Sequence, residues 1–202
     1  MSRANIWLWL VAASIYAFLY VPLAIVVMYS FNDSRLNAEW VGFTLHWYKA
    51  LLNNQEMLTA ARNSLVIALC ASLSSTILGT MAGLAIHRYR WKFLPVLVFT
   101  PVAMPEILLG VSLLLFFLQV LNVTLGMVSI IIAHTTFCIG FVAIIVRARL
   151  QAMDDSIFEA ARDLGASPWQ TFRLVTLPLI VPAVVAGARM SFTLSIDDFI
   201  IT

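Results

Sequence analysis

The sequence predicts an all-α, polytopic membrane protein, and three observations predict it. The 202 residues are 62% hydrophobic and only 11% charged, with a mean hydropathy of +0.95. No soluble domain of this size needs so apolar a composition. Several uncharged runs are long enough to cross a hydrocarbon layer about 30 Å thick at about 1.5 Å per helical residue. The basic residues gather between these runs, on alternate sides. The net charge of +2 is explained by that topology and gives no sign of a nucleic-acid partner.

The elements follow in order. Ile6 to Phe31 carries no charge. It is far longer than the apolar core of a signal peptide and is closed by no Ala-x-Ala site, so it is read as a retained span, kinked at Pro22. Thr44 to Leu52 reads as a short amphipathic helix capped by Thr44. Further spans are expected at Ser64–Ile86, Phe93–Val120, Met127–Val146 and Pro178–Ile196. That makes five. Gly79 and Gly83, with Ser72, Ser75 and Ala82 nearby, form a close-packing face in the second span, toward another helix of this chain or toward a second subunit.

Orientation follows from the basic residues. With the N-terminus inside, Arg3, Arg88, Arg90, Lys92, Arg147, Arg149, Arg162 and Arg173 are cytoplasmic, Arg35, Lys49 and Arg62 are outside, and Arg189 lies within a span. Cys70 and Cys138 read as small buried side chains, not as a disulfide or metal pair. His134 has no metal-ligand partner at suitable spacing and reads as a packed or hydrogen-bonded histidine.

The segment from Asp154 to Pro178 is a charged island between apolar runs. Ser156 with Glu159 and Ser167 with Gln170 have capping-box spacing, Pro168 suits a first helical position, and Gly165 suits the left-handed end of a helix. The pattern predicts helix, glycine corner, helix, and a stop at Pro178. Ile157, Ala160, Ala161 and Leu164 share one face, whose alanines let another backbone approach closely.

Glu159-Ala160-Ala161, Gly165, Val175 and Leu177-Pro178 resemble the EAA loop of ABC importer permeases, with Val175 where isoleucine is usual. The resemblance implies that residues 148–177 couple to an ATPase dimer through Glu159, Ala160, Ala161, Gly165, Leu177 and Pro178. The chain has no Gly-x-x-x-x-Gly-Lys-Ser/Thr and no other phosphate-cradling loop. It is therefore read as a transport subunit and not an enzyme, without cofactor or metal, driven by ATP hydrolysis on a separate polypeptide.

Carboxylates inside apolar runs suggest what passes. Glu106 lies fourteen residues beyond Lys92, about 20 Å deep if the helix runs straight. A charge at mid-membrane costs about 2.5–3.5 kcal/mol, so such acids are functional by default. Glu106 serves a cation pathway or pairs with Arg189. Pro95, Pro101 and Pro105 free carbonyls around it, tolerated where they face protein or a wet cavity. Asp197 and Asp198 fall near the outer end of the fifth span.

Tyr20-Val-Pro, Ser30-Phe-Asn-Asp-Ser-Arg35, Trp40-Val-Gly-Phe-Thr, Trp47-Tyr48, Pro105-Glu106 and Ser191-Phe-Thr-Leu-Ser-Ile-Asp-Asp198 resemble the (PotC/PotI-type) permease family of spermidine/putrescine importers over nearly the whole chain. The resemblance implies a type I importer permease bundle of six spans, five of them within 1–202 in a single domain, in a bacterial inner membrane. It also implies a second permease and a periplasmic polyamine-binding protein as partners. By the same resemblance Tyr20, Trp47, Tyr89, Glu106, Ser195, Asp197 and Asp198 line the substrate pathway. Carboxylates interleaved with aromatic faces suit a cargo of ammonium groups joined by methylenes. Interface anchoring is the alternative for Tyr20, Trp47 and Tyr89. An importer for another small solute, a proton-coupled carrier or channel, and a scaffold without cargo are the rival readings.

Overall fold

The computed structural model describes residues 3–34, 39–89 and 91–198. Arg35 and Arg90 of the orientation count lie outside them, as do the side chain of Arg3 and everything beyond Asp198. The chain forms two compact units, residues 1–60 and 61–202.

The first unit opens with α1 (Arg3–Tyr29). It is apolar on every side, and its candidate span, Ile6–Tyr29, buries nothing within the protein. The connection that follows is organised by Asn32, which is almost wholly buried. Its Nδ2 donates to the Glu39 carbonyl and its Oδ1 accepts from the Val41 N–H, while a single bridge pairs Asn32 with Phe43. The short helix α2 spans His46–Asn53. Leu45 occupies its cap position, not Thr44, yet the Thr44 hydroxyl still accepts the His46 N–H at 3.1 Å.

In the second unit, α6 (Met127–Gln151) is the axis. Packed around it are α3 (Gln55–Arg88), α4 (Phe93–Ala103), α5 (Glu106–Leu115) and α9 (Leu177–Asp197). Val142, Val146 and Leu150 of α6 meet Ile180 of α9, Ala143 meets Ile86 and Val98, and Phe137 with Cys138 meets Leu109. Glycine makes the close approach possible. A Cβ at Gly79 would lie 2.6 Å from Val142 Cβ, and one at Gly140 would lie 2.8 Å from the Val98 carbonyl oxygen. The glycine pair of the second span therefore packs within this chain, against α6.

Two expectations need correction. The third span is not one rod: Phe93–Ala103 and Glu106–Val120 meet at 109°. Met104 precedes Pro105, and the proline ring disfavours the helical region for its predecessor. Met104 is accordingly extended at φ −84, ψ 143. The depth of Glu106 reckoned along a straight helix therefore does not hold. Pro178 also fails to stop the chain. α8 (Pro168–Thr171), a π-helical turn (Phe172–Thr176) and α9 run on as a helix of 30 residues. The π turn lies immediately before Pro178, and its wider winding accommodates the carbonyl that the proline ring would otherwise strike. Among the described residues four helices are long and apolar enough to span a membrane, five if the bent pair counts as one.

Candidate functional site

The first feature is the turn joining α6 to α9. Its opening helix α7 covers Ser156–Asp163. The expected Ser156–Glu159 capping box is absent, because Ser156 is already the first helical residue and Asp155 holds the cap position. Asp154 substitutes: its Oδ1 accepts the Ser156 N–H at 2.9 Å. That bond holds the exposed carboxyl below the usual carboxylate range. At the far end Gly165 has φ +80. Gly165 N–H donates to Arg162 and Ala166 N–H to Ala161, the paired closure of a Schellman end. Ser167 then caps α8, with its hydroxyl accepting Gln170 N–H and Gln170 Oε1 accepting Ser167 N–H. This second capping box is as expected.

The turn presents apolar side chains that nothing covers. Leu164 is 89% exposed, Leu174 70% and Trp169 66%, with Ile157 also bare. Glu159, Ala160, Leu177 and Pro178 are exposed, and Ala161 is half-buried. Exposed apolar side chains grouped on a polar turn are a feature of surfaces that meet another protein or a membrane.

The second feature is a polar seam through the bundle where α3, α6 and α9 meet. Ser72 Oγ donates to the Ala188 carbonyl at 2.8 Å, and the Ser75 and Ser191 hydroxyls share a hydrogen at 2.5 Å. The Cys138 thiol points to the Ser191 carbonyl at 3.7 Å. The seam ends at His134, whose Nδ1 lies 2.7 Å from Ser195 Oγ and whose Nε2 lies 4.0 Å from Asp198 Oδ2. There a cavity of about 290 Å³ opens, lined by Ser64, Ile67, His134, Ser195, Ile196, Asp197 and Asp198. Three of the seven expected pathway residues thus meet in one cavity. His134, Ser64, Ile67 and Ile196 complete it and were not foreseen as lining it. His134 is distant in sequence from its partners, and only the α6–α9 packing joins them.

The other four lie elsewhere. Glu106 is the first residue of α5, exposed beside the break, where the positive end of a helix favours its charge. Among the described residues neither Glu106 nor Arg189 forms an ion pair within 4.0 Å, so the pairing weighed between them is not made. Tyr89 follows α3, exposed and 6.0 Å from the Trp91 ring. Tyr20 stacks on Tyr16 along bare α1. Trp47 donates its indole N–H to the Asn32 carbonyl at 3.0 Å. It also lines an open cavity of about 420 Å³ with Ser30, Tyr48, Leu51 and Met57.

The family model described as "binding-protein-dependent transport system inner membrane component" matches residues 75–202, which hold the turn, the seam from Ser75 onward, and His134, Ser195, Asp197 and Asp198 of the cavity. The chain belongs to that family. This permease is 41% identical over 192 residues to the spermidine/putrescine transport system permease protein PotC of Escherichia coli K12, covering 94% of this chain and 72% of that protein. To the putrescine transport system permease protein PotI of the same organism it is 40% identical, covering 92% and 69%. A PotC homolog of Mycoplasma pneumoniae is 30% identical over 91% of the chain and 70% of that protein. Among solved structures, an inward-facing MetNI methionine ABC transporter superposes with a TM-score of 0.63 at 20% identity, covering 71% of this chain and 73% of that one. That likeness bears on the fold alone. It agrees with the importer-permease bundle read from the sequence.

Proposed function

We propose that this permease carries polyamines of the spermidine and putrescine class inward across a bacterial inner membrane. Its single domain, 1–202, has its N-terminus in the cytoplasm, and it works with a second permease, an ATPase dimer and a periplasmic binding protein. The observation that carries the cargo reading is the cavity holding Asp197, Asp198 and Ser195 at the end of the bundle's polar seam. Paired carboxylates at such a place favour a cation. The names of the relatives that match over more than nine-tenths of this chain favour the same class.

The bare apolar cluster of the α7–α8 turn, with Glu159, Ala160, Ala161 and Gly165 at its corner and Leu177-Pro178 beyond it, is the ATPase contact. Its basic neighbours Arg162 and Arg173, with Arg147 and Arg149, agree with a cytoplasmic position. The continuous helix from Pro168 to Asp197 joins the two features directly. A displacement imposed on the turn is carried along this one continuous helix to the acidic cavity. Glu106, Tyr20, Trp47 and Tyr89 belong to the same pathway in this reading, as weak sites spaced so that cargo also leaves.

The test is ATP-driven uptake of radiolabelled putrescine by the assembled complex in proteoliposomes. Asp198→Asn, which removes the charge and keeps the shape, lowers the rate by at least about tenfold, of the order of one lost charged contact. An unchanged rate would remove the cation site. Uptake that persists without ATP but collapses with the proton gradient would favour a proton-coupled carrier.

A further inference from the structure

We infer that His134 is a positioning residue for cation passage, holding Ser195 and the Asp198 carboxylate in the wall of the acidic cavity. The inference rests on the cation-site reading above.

His134 is 1% exposed, set in a helix whose neighbouring buried positions are almost all apolar or small. A buried imidazole without polar partners is costly. Here both nitrogens face the end of α9: Nδ1 at 2.7 Å from Ser195 Oγ, Nε2 at 4.0 Å from Asp198 Oδ2. Asp198 is the residue after the last turn of α9, with extended backbone at ψ 119, so helical geometry does not set the direction of its side chain. Ser195, by contrast, is fixed by the α9 backbone and anchors the ring from the other side. The ring thereby ties α6, the axis of the unit, to the acidic wall carried by α9. It does so at the lining of the cavity, where small changes in carboxylate direction change what a cation meets. Packing alone does not account for a ring hydrogen-bonded to Ser195 at Nδ1 and turned toward the Asp198 carboxylate at Nε2.

A double-mutant cycle separates positioning from packing. In the full complex, with radiolabelled putrescine as cargo, His134→Ala and Asp198→Asn each lower the maximal uptake rate by about tenfold, and the double variant is no slower than the slower single. The half-saturating concentration stays within about twofold, because cargo capture belongs to the binding protein. His134→Asn keeps a hydrogen-bonding group near the Nδ1 position and His134→Gln near Nε2, and each restores part of the rate. His134→Leu does not. Deficits that multiply to about a hundredfold, or full activity in His134→Leu, would overturn the inference and leave His134 as packing. An unchanged rate in Asp198→Asn would instead defeat the cation-site reading on which it stands. Should His134→Ala fail to insert, the same cycle run with His134→Leu decides between these outcomes.

Discussion

Gly165 is the residue on which the shape of the exposed turn depends. At φ +80 it occupies a region that costs an L-residue about 1–2 kcal/mol, and nothing lies within 4 Å of where its Cβ would be. The penalty is therefore conformational, not steric. Gly165→Val, β-branched, unwinds the Schellman end, whereas Gly165→Asn is tolerated. Limited proteolysis of the turn distinguishes them, with faster cleavage in the valine variant only. Asp154 adds a pH dependence. Its carboxyl is held low by the Ser156 N–H, so its contribution is present above the ordinary carboxylate pKa and is lost as pH falls through the lowered value. Protection of the Ser156 amide against hydrogen exchange, corrected for intrinsic rate, should fall over that acid window and be insensitive to pH in Asp154→Asn. The glycine corner and the Ser167 cap were legible because each is a local rule acting over three or four residues. Asp154 in place of Ser156 was not, since both lie where a helix starts and only the backbone chooses between them.

Among the elements, the bend between α4 and α5 and the continuity of α8 with α9 had opposite fates in the sequence. Three prolines announced an interruption near Glu106, but proline spacing does not say whether a helix kinks or turns through 109°. The extended Met104 decides that. Pro105→Ala releases Met104 to the helical region, so the account expects spin labels at positions 96 and 114 to move apart. An unchanged distance would mean that packing, not the proline, holds the bend. Pro178 misled in the other direction, because a π turn relieves a proline clash and is invisible to periodicity. Small-residue packing was legible as a motif but not in its partner. With Val142 Cβ at 2.6 Å from an added Cβ, Gly79→Ala overpacks the α3–α6 contact. It should destabilise the bundle by about 1–3 kcal/mol, read as a lower midpoint of thermal unfolding in detergent.

For the molecule as a whole, composition and run length were enough to predict a helical membrane bundle, because spanning a bilayer leaves few alternatives for a chain this apolar. The acidic end of α9 was visible as residues out of place. Its cavity was not, because Ser64, His134 and Ser195 come from three helices whose registry depends on glycine contacts far apart in sequence. In the proposed function, a bare apolar turn and a carboxylate-lined cavity at the two ends of one continuous helix couple an engine to a cargo site. The most direct measurement is ATP-driven putrescine uptake by the reconstituted complex carrying Glu159→Lys, with inserted permease quantified in the same vesicles. The account predicts normal insertion and uptake reduced to the level without ATP; uptake at the wild-type rate would contradict it.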